Sequence, residues 1–246
     1  TGRNDWASQL AFTSKGSYFY PSVGLSWLIS ESFKLPEAIS YLKVRGSWAE
    51  VASSPSRYLT QMQYTYNEQT NTYEYPANHY NTDLKPENTK SWEFGLNAKF
   101  LKNRINFDMT LYRSNTYNQT FYVDASASSG YKKNIVQTGN IQNRGIELAV
   151  GYSDTFNKVK VSTNFTYTIN ENEIVSLANG AINQNTGEVI HMDYYSKGTL
   201  GISGGPTLRL YEGGTMGDIY INQRLRQSPN GYIWRDPADG TVAIEN

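Results

Sequence analysis

Residues 89–113 read TKSWEFGLNAKFLKNRINFDMTLYR, and this stretch decides the fold. Its first arm alternates strictly, with apolar side chains at Trp92, Phe94, Leu96, Ala98 and Phe100. A short polar turn at 102–104 reverses the chain, and apolar side chains then recur at Ile105, Phe107, Met109 and Leu111. Because successive side chains of a strand point to opposite faces, the stretch predicts a β-hairpin with one apolar and one polar face. The medium that each face meets decides the function.

The same alternation recurs in further predicted strands at 19–30, 39–51, 134–152 and 158–170. Short turns alternate with long polar segments, the turns at 102–104 and 154–157 and the segments at 52–88 and from 171 onward. Aromatic side chains that suit a membrane interface stand at the ends of the apolar stripes, at Trp27, Trp48, Trp92 and Tyr152. This asymmetry favours a transmembrane β-barrel, whose outer face is apolar and whose lumen is polar. A soluble β-sandwich, with its apolar faces packed together, gives a similar alternation and remains an alternative fold.

Composition excludes several classes of protein. The 22 basic residues are balanced by 22 acidic residues, so the chain lacks the positive charge of a nucleic-acid binder. It contains no cysteine, which excludes a disulfide framework and a thiolate metal site. No run of apolar residues is long enough for a transmembrane helix. The first residues lack the pattern of a signal peptide and the chain starts without methionine, so we expect a piece of a longer protein.

The sequence offers little for catalysis. The two histidines, His79 and His191, lie in different predicted loops with no accompanying nucleophile. Glu93 and Asp108 lie on the polar faces of adjacent strands, where a barrel lumen carries such charges routinely. Residues 236–240 form an Asp-Gly turn rather than a calcium loop, since Ala stands at the third ligand position. We therefore expect neither an enzyme, nor a cofactor, nor a bound metal.

Several motifs resemble those of SusC/RagA-type TonB-dependent outer-membrane transporters, and they occur in the family's order. They are FYPSVGLSW at 19–27, ISESF at 29–33, LKVRGSW at 42–48, DLKPE at 83–87 with Ser91, Glu93 and Gly95, NRGIE at 143–147 after Asn140, and EGG at 212–214 with Gly217 and Tyr220. Each motif is modest, but together they cover residues 18–220, which is most of the chain.

The resemblance implies an all-β fold, an antiparallel segment of a large transmembrane barrel that an N-terminal plug fills. Residues 1–246 would belong to one barrel domain in the outer membrane of a Bacteroidetes-type bacterium, with 52–88 and 171–246 as long extracellular loop regions. The turn at Asn103 would mark the periplasmic side. The implied function is import of a glycan or peptide, captured with a SusD-like surface lipoprotein. Energy would come from the TonB complex through an N-terminal region that this sequence does not contain.

Two other functions stay open. A secreted or surface β-sandwich that binds carbohydrate would not transport, and an adhesin-type or passive porin barrel would not need TonB. Basic side chains project from the polar faces at Lys43, Arg45, Lys99, Lys158 and Lys160. They could steer an anionic substrate, but pairing with acidic groups of the plug and lumen is favoured because an isolated buried charge is costly.

The best candidates for ligand contact are aromatic side chains of the predicted loops. They are Tyr64, Tyr66, Tyr73, Tyr75, His79 and Tyr80 in the long loop, with Tyr232 and Trp234 in the last segment. Aromatic faces pack on sugar rings, while hydroxyl and amide groups satisfy polar atoms of a ligand. The alternative is that these rings pack loop against loop, or against the lipoprotein cap.

Overall fold

The structure is a computed structural model that describes residues 1–183, 186–199, 206–221 and 227–241. A short helix, α1 (Ile29–Ser32), and two 3-10 turns, Ser8–Leu10 and Ala127–Ser129, accompany the strands. The strands are β1 (Gly2–Trp6), β2 (Ser17–Leu28), β3 (Ile39–Ser53), β4 (Thr65–Asn67), β5 (Thr72–Glu74), β6 (Asn78–His79), β7 (Glu87–Phe100), β8 (Ile105–Asp124), β9 (Lys133–Phe156), β10 (Val159–Ser176), β11 (Tyr195–Thr199), β12 (Thr207–Leu210) and β13 (Ile219–Tyr220).

The long strands form one antiparallel meander in the order β1-β2-β3-β7-β8-β9-β10, and β6 adds a parallel bridge to β9. The connections at one end, at 29–38, 101–104 and 157–158, include two tight turns. Those at the other end, at 7–16, 54–86 and 125–132, include the longest connection of the meander, and none of them is a tight turn. We call these the short-turn end and the long-loop end. The hairpin predicted from 89–113 is confirmed as β7 and β8.

The structure extends the strands beyond the limits predicted from alternation. β8 runs through residues 114–121 as far as Asp124, and β10 reaches Ser176. Residues 2–6 belong to a polar, turn-rich stretch that predicts a loop, but they pair with Ser17–Pro21 as β1 and β2. The long polar segment also predicts a small hairpin around residues 62–66, and the structure has it further along the chain, as β4 and β5. Alternation fades in these places because neither face of the strand there meets lipid. Apolar and polar residues then need not alternate, and the sequence does not indicate a strand.

In the last quarter of the chain, the sequence predicts the strands less completely. The sequence predicts two short strands there, at 218–221 and 231–234, and the first is observed as β13. In the second, only an isolated bridge joins Ile233 to Gln227. β11 and β12 were missed, because each is short and carries no sustained alternation.

Cross-strand pairing aligns the apolar side chains of the long strands into rows on one face. The central row joins Trp27, Val44, Leu96, Met109, Leu148 and Tyr167. The next row towards the long-loop end joins Leu25, Gly46, Phe94, Leu111, Ile146 and Ile169. Most of these side chains are exposed, Leu25 to 79% and Phe94 to 48%, while Val44, Leu96, Met109 and Leu148 are half-buried among their neighbours. A sandwich would bury such rows, so their exposure favours a wall that faces lipid.

The dimensions of the wall fit a bilayer. A transmembrane strand needs about 9–11 residues, and the apolar stripe of β7 spans residues 92–100. The strands are also staggered. The last pair of the β7–β8 hairpin is Phe100 with Ile105, and Ile105 in turn pairs with Tyr152 of β9. β9 and β10 stay paired beyond Tyr152 as far as Phe156 and Val159. A stagger of this kind is what tilted strands of a barrel require.

The polar face contains two places where a glycine makes room for a long side chain of the next strand. A Cβ atom on Gly95 would lie 2.7 Å from Cγ and 2.8 Å from Cζ of Arg45. A Cβ atom on Gly145 would lie 2.5 Å from the hydroxyl oxygen of Tyr112. Both side chains therefore lie flat along the wall.

The dry core of the described residues lies mainly at the long-loop end. One cluster joins the outer parts of β8, β9 and β10 to later segments through Phe121, Val123, Val136, Ile141, Ile174, Leu177, Ala178 and Leu210. A second contains Ala7, Leu10, Leu84 and Ile135. The EGG motif supports the first cluster, because Gly213 N donates to Ile174 O and Ile174 N donates to Gly214 O. The loops are thus held as a packed layer on the end of the wall.

Candidate ligand-binding surface

Four tyrosines form an exposed ladder on the hairpin of β4 and β5. Tyr66 pairs with Tyr73 across the strands, and Tyr64 lies beside Tyr75, each pair with ring centroids 5.2 Å apart. Alternate residues of a strand share a face, so the rings of both pairs lie on one side of the hairpin. They are between 48% and 72% exposed. We call these residues, Tyr64, Tyr66, Tyr73 and Tyr75, the tyrosine ladder.

Local hydrogen bonds fix the shape of this hairpin. The Tyr66 hydroxyl donates to the side-chain oxygen of Asn71, whose positive φ of 55° allows the tight turn. On the opposite face, Asn67 Nδ2 donates to Glu74 Oε1 at 2.6 Å. The ladder is therefore presented by an ordered strand pair, although the sequence there shows no sustained alternation.

The remaining predicted residues of this loop are packed rather than presented. The ring of His79 stacks on that of Tyr131 at 4.4 Å and 18°, and Tyr80 meets His79 edge-on at 5.4 Å. Tyr131 comes from the connection between β8 and β9, so loop packs against loop here. Sequence reasoning missed Tyr131, because no periodic signal marks it.

The ladder lies close to this packed group. The neighbouring Tyr75 contributes most to raising the pKa of Tyr64 above its ordinary value, with desolvation and Tyr131 adding to it. Tyr131 therefore lies within electrostatic range of Tyr64 at one end of the ladder.

Tyr232 and Trp234 belong to another segment. A bridge between Gln227 and Ile233 and a hydrogen bond from Ser228 N to Tyr232 O fold this segment on itself. Tyr232 is exposed and Trp234 is half-buried.

A cavity of about 510 Å³ lies beside the outer ends of β8 and β9, against Asn183 and residues 186–196. Its lining includes Lys133, His191 and Asp193, with the Lys133–Asp124 ion pair of 2.7 Å at its edge. Asn134 also contributes but is only 4% exposed, and its Oδ1 has no hydrogen-bond partner among the described residues. That oxygen is closed to a water-sized contact, so it adds a desolvation cost rather than a ligand contact.

Two of the predicted basic side chains of the polar face, Arg45 and Lys99, lie near polar or aromatic groups of the same wall. Arg45 Nη2 donates to Thr110 Oγ1 at 2.5 Å and lies 3.7 Å from Asp108 Oδ1, which confirms the predicted pairing with an acid at this position. The Lys99 ammonium lies 5.6 Å from the ring centre of Tyr41. Lys158 and Lys160 are exposed at the short-turn end.

Two further findings concern only the described part of the chain. No group of three or more His, Asp or Glu side chains there could hold a metal ion. None of its helices is long and apolar enough to cross a membrane.

An exposed apolar band, a polar inner face and a packed loop layer at one end define the class: this is a piece of the wall of an outer-membrane β-barrel. Residues 1–240 match the family described as TonB dependent receptor-like, beta-barrel, and the chain belongs to that family. The expected location in the outer membrane is thereby confirmed, as is the resemblance to TonB-dependent transporters.

Named relatives agree with this membership. TonB-dependent receptor P39 of Formosa agariphila is 28% identical over 167 residues, which cover 65% of this chain and 16% of that protein. TonB-dependent receptor P3 of the same organism is 26% identical over 190 residues, covering 73% and 19%. The chain thus spans less than a fifth of the length of either relative.

Solved structures support the fold. The RagAB peptide importer in its open-open state gives a TM-score of 0.70 at 21% identity, covering 100% of this chain and 26% of the solved one. A second structure, of the RagAB peptide transporter, gives 0.69 at 22% identity, covering 99% and 26%. The antiparallel barrel segment predicted from the sequence is therefore confirmed.

Proposed function

We propose that this chain is part of a TonB-dependent importer that captures a glycan or peptide at its long-loop end, together with a SusD-like surface lipoprotein. The long-loop end, with 52–88 and 171–246, is the extracellular side, and the turn at Asn103 is periplasmic. Transport is driven by the TonB complex through a part of the protein outside this sequence. Support comes from family membership, from the ordered motifs, and from the name of the similar solved importer, which specifies a peptide.

The observation that carries the proposal is the tyrosine ladder. Large apolar rings normally pack inside a protein, yet these are held on one exposed face by an ordered hairpin at the end furthest from the short turns. Ring faces pack on the apolar side of a sugar or on a peptide side chain, and the hydroxyls bind polar groups beside them. Such a surface suits capture from the medium.

The polar face would serve passage rather than capture. On the inner wall, where a plug would lie, Arg45 is hydrogen-bonded to Thr110 and ion-paired with Asp108. Because these charges are paired, this part of the wall has little net charge with which to hold a charged ligand during release. We also infer that the chain is not an enzyme, since His79 is stacked on Tyr131 rather than placed beside a nucleophile.

The test uses the full-length protein with its lipoprotein and a set of defined glycans and peptides. Tyr66→Ala with Tyr73→Ala should weaken capture about tenfold, which corresponds to about 1.4 kcal/mol. The matched Tyr66→Phe with Tyr73→Phe should retain most of it, because the ring faces remain. Phe33→Ala, an exposed aromatic at the short-turn end, is the control and should leave capture unchanged.

A measurement of uptake by cells distinguishes binding at the surface from import. Cells that lack the TonB complex should bind the ligand at their surface but not accumulate it. Accumulation that continues without TonB would overturn active import and favour a passive porin. Unchanged capture by the double alanine variant would instead remove the ladder from the ligand site.

A further inference from the structure

The outward face changes character along one row at the long-loop edge of the apolar wall. Cross-strand pairing places in this row Val23, Trp48, Trp92, Arg113, Arg144 and Glu171. The rings of Trp48 and Trp92 lie 6.1 Å apart, as expected for aromatic side chains at a membrane interface. Arg113 and Arg144 therefore stand at the height where lipid headgroups begin.

These two arginines face each other directly across β8 and β9. Side chains in such a pair have Cβ atoms about 4.5–5.5 Å apart, and like charges placed there repel. The acid in the row, Glu171, is bonded through Oε2 to Nε of Arg144 at 2.8 Å. Among the described residues, Arg113 has no acidic partner, so one guanidinium and the terminal nitrogens of the other remain available as donors.

Neighbouring charges do not neutralise Arg113. Lys90 lies one row further out on β7, opposite Glu50, whose Oε1 accepts a hydrogen bond from Asn88. Glu173 lies on β10, which is separated from the strand of Arg113 by β9, and it pairs with Gln142 of β9. At the short-turn edge the guanidinium group, that of Arg104, is balanced by Asp154 at 3.2 Å, and the other cations there are lysines such as Lys102 and Lys158. An unbalanced pair of guanidinium groups is thus a feature of the long-loop edge.

We propose that Arg113 and Arg144 bind a phosphate group of an outer-leaflet lipid against the outer wall. Guanidinium groups bind phosphate through paired, charge-assisted hydrogen bonds, and two facing arginines place such donors on both sides of one anion. The long aliphatic stems can lie along the apolar wall while the charged ends reach the headgroup layer. A phosphate also removes the repulsion between the two side chains. The leaflet follows from the orientation given in the proposed function.

The test measures lipid retention by the purified full-length protein in nanodiscs with native mass spectrometry. The probes are a phosphorylated outer-leaflet glycolipid and the same lipid after enzymatic removal of its phosphates. Wild-type protein should retain the phosphorylated form about tenfold more strongly. Arg113→Gln with Arg144→Gln should abolish the preference, whereas Arg113→Lys with Arg144→Lys should keep only part of it, because the charge remains but the paired guanidinium donors are lost. Lys102→Gln, which removes a cation at the short-turn end, should keep all of it.

Three results would overturn the proposal. They are equal retention of both lipids by wild-type protein, an undiminished preference in the double glutamine variant, and displacement of the lipid by millimolar inorganic phosphate, which would indicate a free-anion site. Nutrient capture measured in the same variants should be unchanged. This readout keeps the lipid site separate from the importer function, because capture can fail through the tyrosine ladder while lipid retention persists.

Discussion

At the residue scale, the wall depends on glycines as much as on its apolar stripe. Gly95 leaves space for Arg45 to lie flat and reach Thr110, and Gly145 does the same for Tyr112, whose hydroxyl donates to Asn170 Oδ1 at 3.0 Å. The family motifs include both glycines, but the sequence alone does not reveal which side chain crosses each one. Which side chain crosses each glycine depends on the cross-strand register. Alternation tells only which face a side chain lies on, and not which residue it lies beside.

The first prediction concerns Gly95. Gly95→Ala should lower the free energy of unfolding by about 1–3 kcal/mol, because the new methyl group displaces Arg45 from Thr110. Urea unfolding of the full-length protein in lipid vesicles measures the change. Gly24→Ala is the control, since a Cβ atom there would lie an ordinary 3.7 Å from Ser47 Cβ. Equal loss in both variants would contradict the role given to Arg45.

At the element scale, the sequence predicted strands well where a membrane imposes the pattern. The hairpin of β7 and β8 could be predicted because each outward position must be apolar and each inward position polar. Outside the band this constraint ends, so β1, the outer part of β8 and the shift of the small hairpin to β4 and β5 could not be predicted. The ligand candidates were found from residue type alone, and their separation into the exposed ladder and the packed His79 needed the structure.

The second prediction compares the two faces of β10. Tyr167→Arg places a charge in the central apolar row and should destabilise the protein by about 2–4 kcal/mol. Thr168→Arg puts the same side chain on the polar face and should cost less than about 1 kcal/mol. Unfolding midpoints in vesicles report both values. Similar losses in the two variants would mean that both faces of β10 meet the same medium.

At the scale of the whole molecule, the strands of the wall are staggered, and the wall carries little core of its own. The buried apolar clusters lie at the long-loop end, and the band between the two edges presents Leu25, Phe94 and Phe165 outward. Among the described residues, β10 has a strand on one side only along 159–171. Backbone groups of an unpaired strand edge are costly in lipid.

The third prediction follows from that open edge. Residues 1–246 produced alone should fail to give a soluble monomer that unfolds cooperatively, because the exposed band and strand edge promote association. Size-exclusion chromatography with circular dichroism would detect the association. A monodisperse, cooperatively folding product without detergent would favour the carbohydrate-binding sandwich.

The apolar face of β7 meets lipid and its polar face meets the lumen, and this difference between the two faces can be measured directly. In the full-length protein, each residue from 92 to 100 would be replaced in turn by a cysteine and spin-labelled. The relaxation of each label by oxygen and by a water-soluble nickel complex would then be measured in vesicles. We expect oxygen to relax labels at Phe94, Leu96 and Ala98 most strongly, and nickel to be favoured at the intervening positions. Uniform access to nickel on both faces, or protection of both faces from oxygen, would contradict the account.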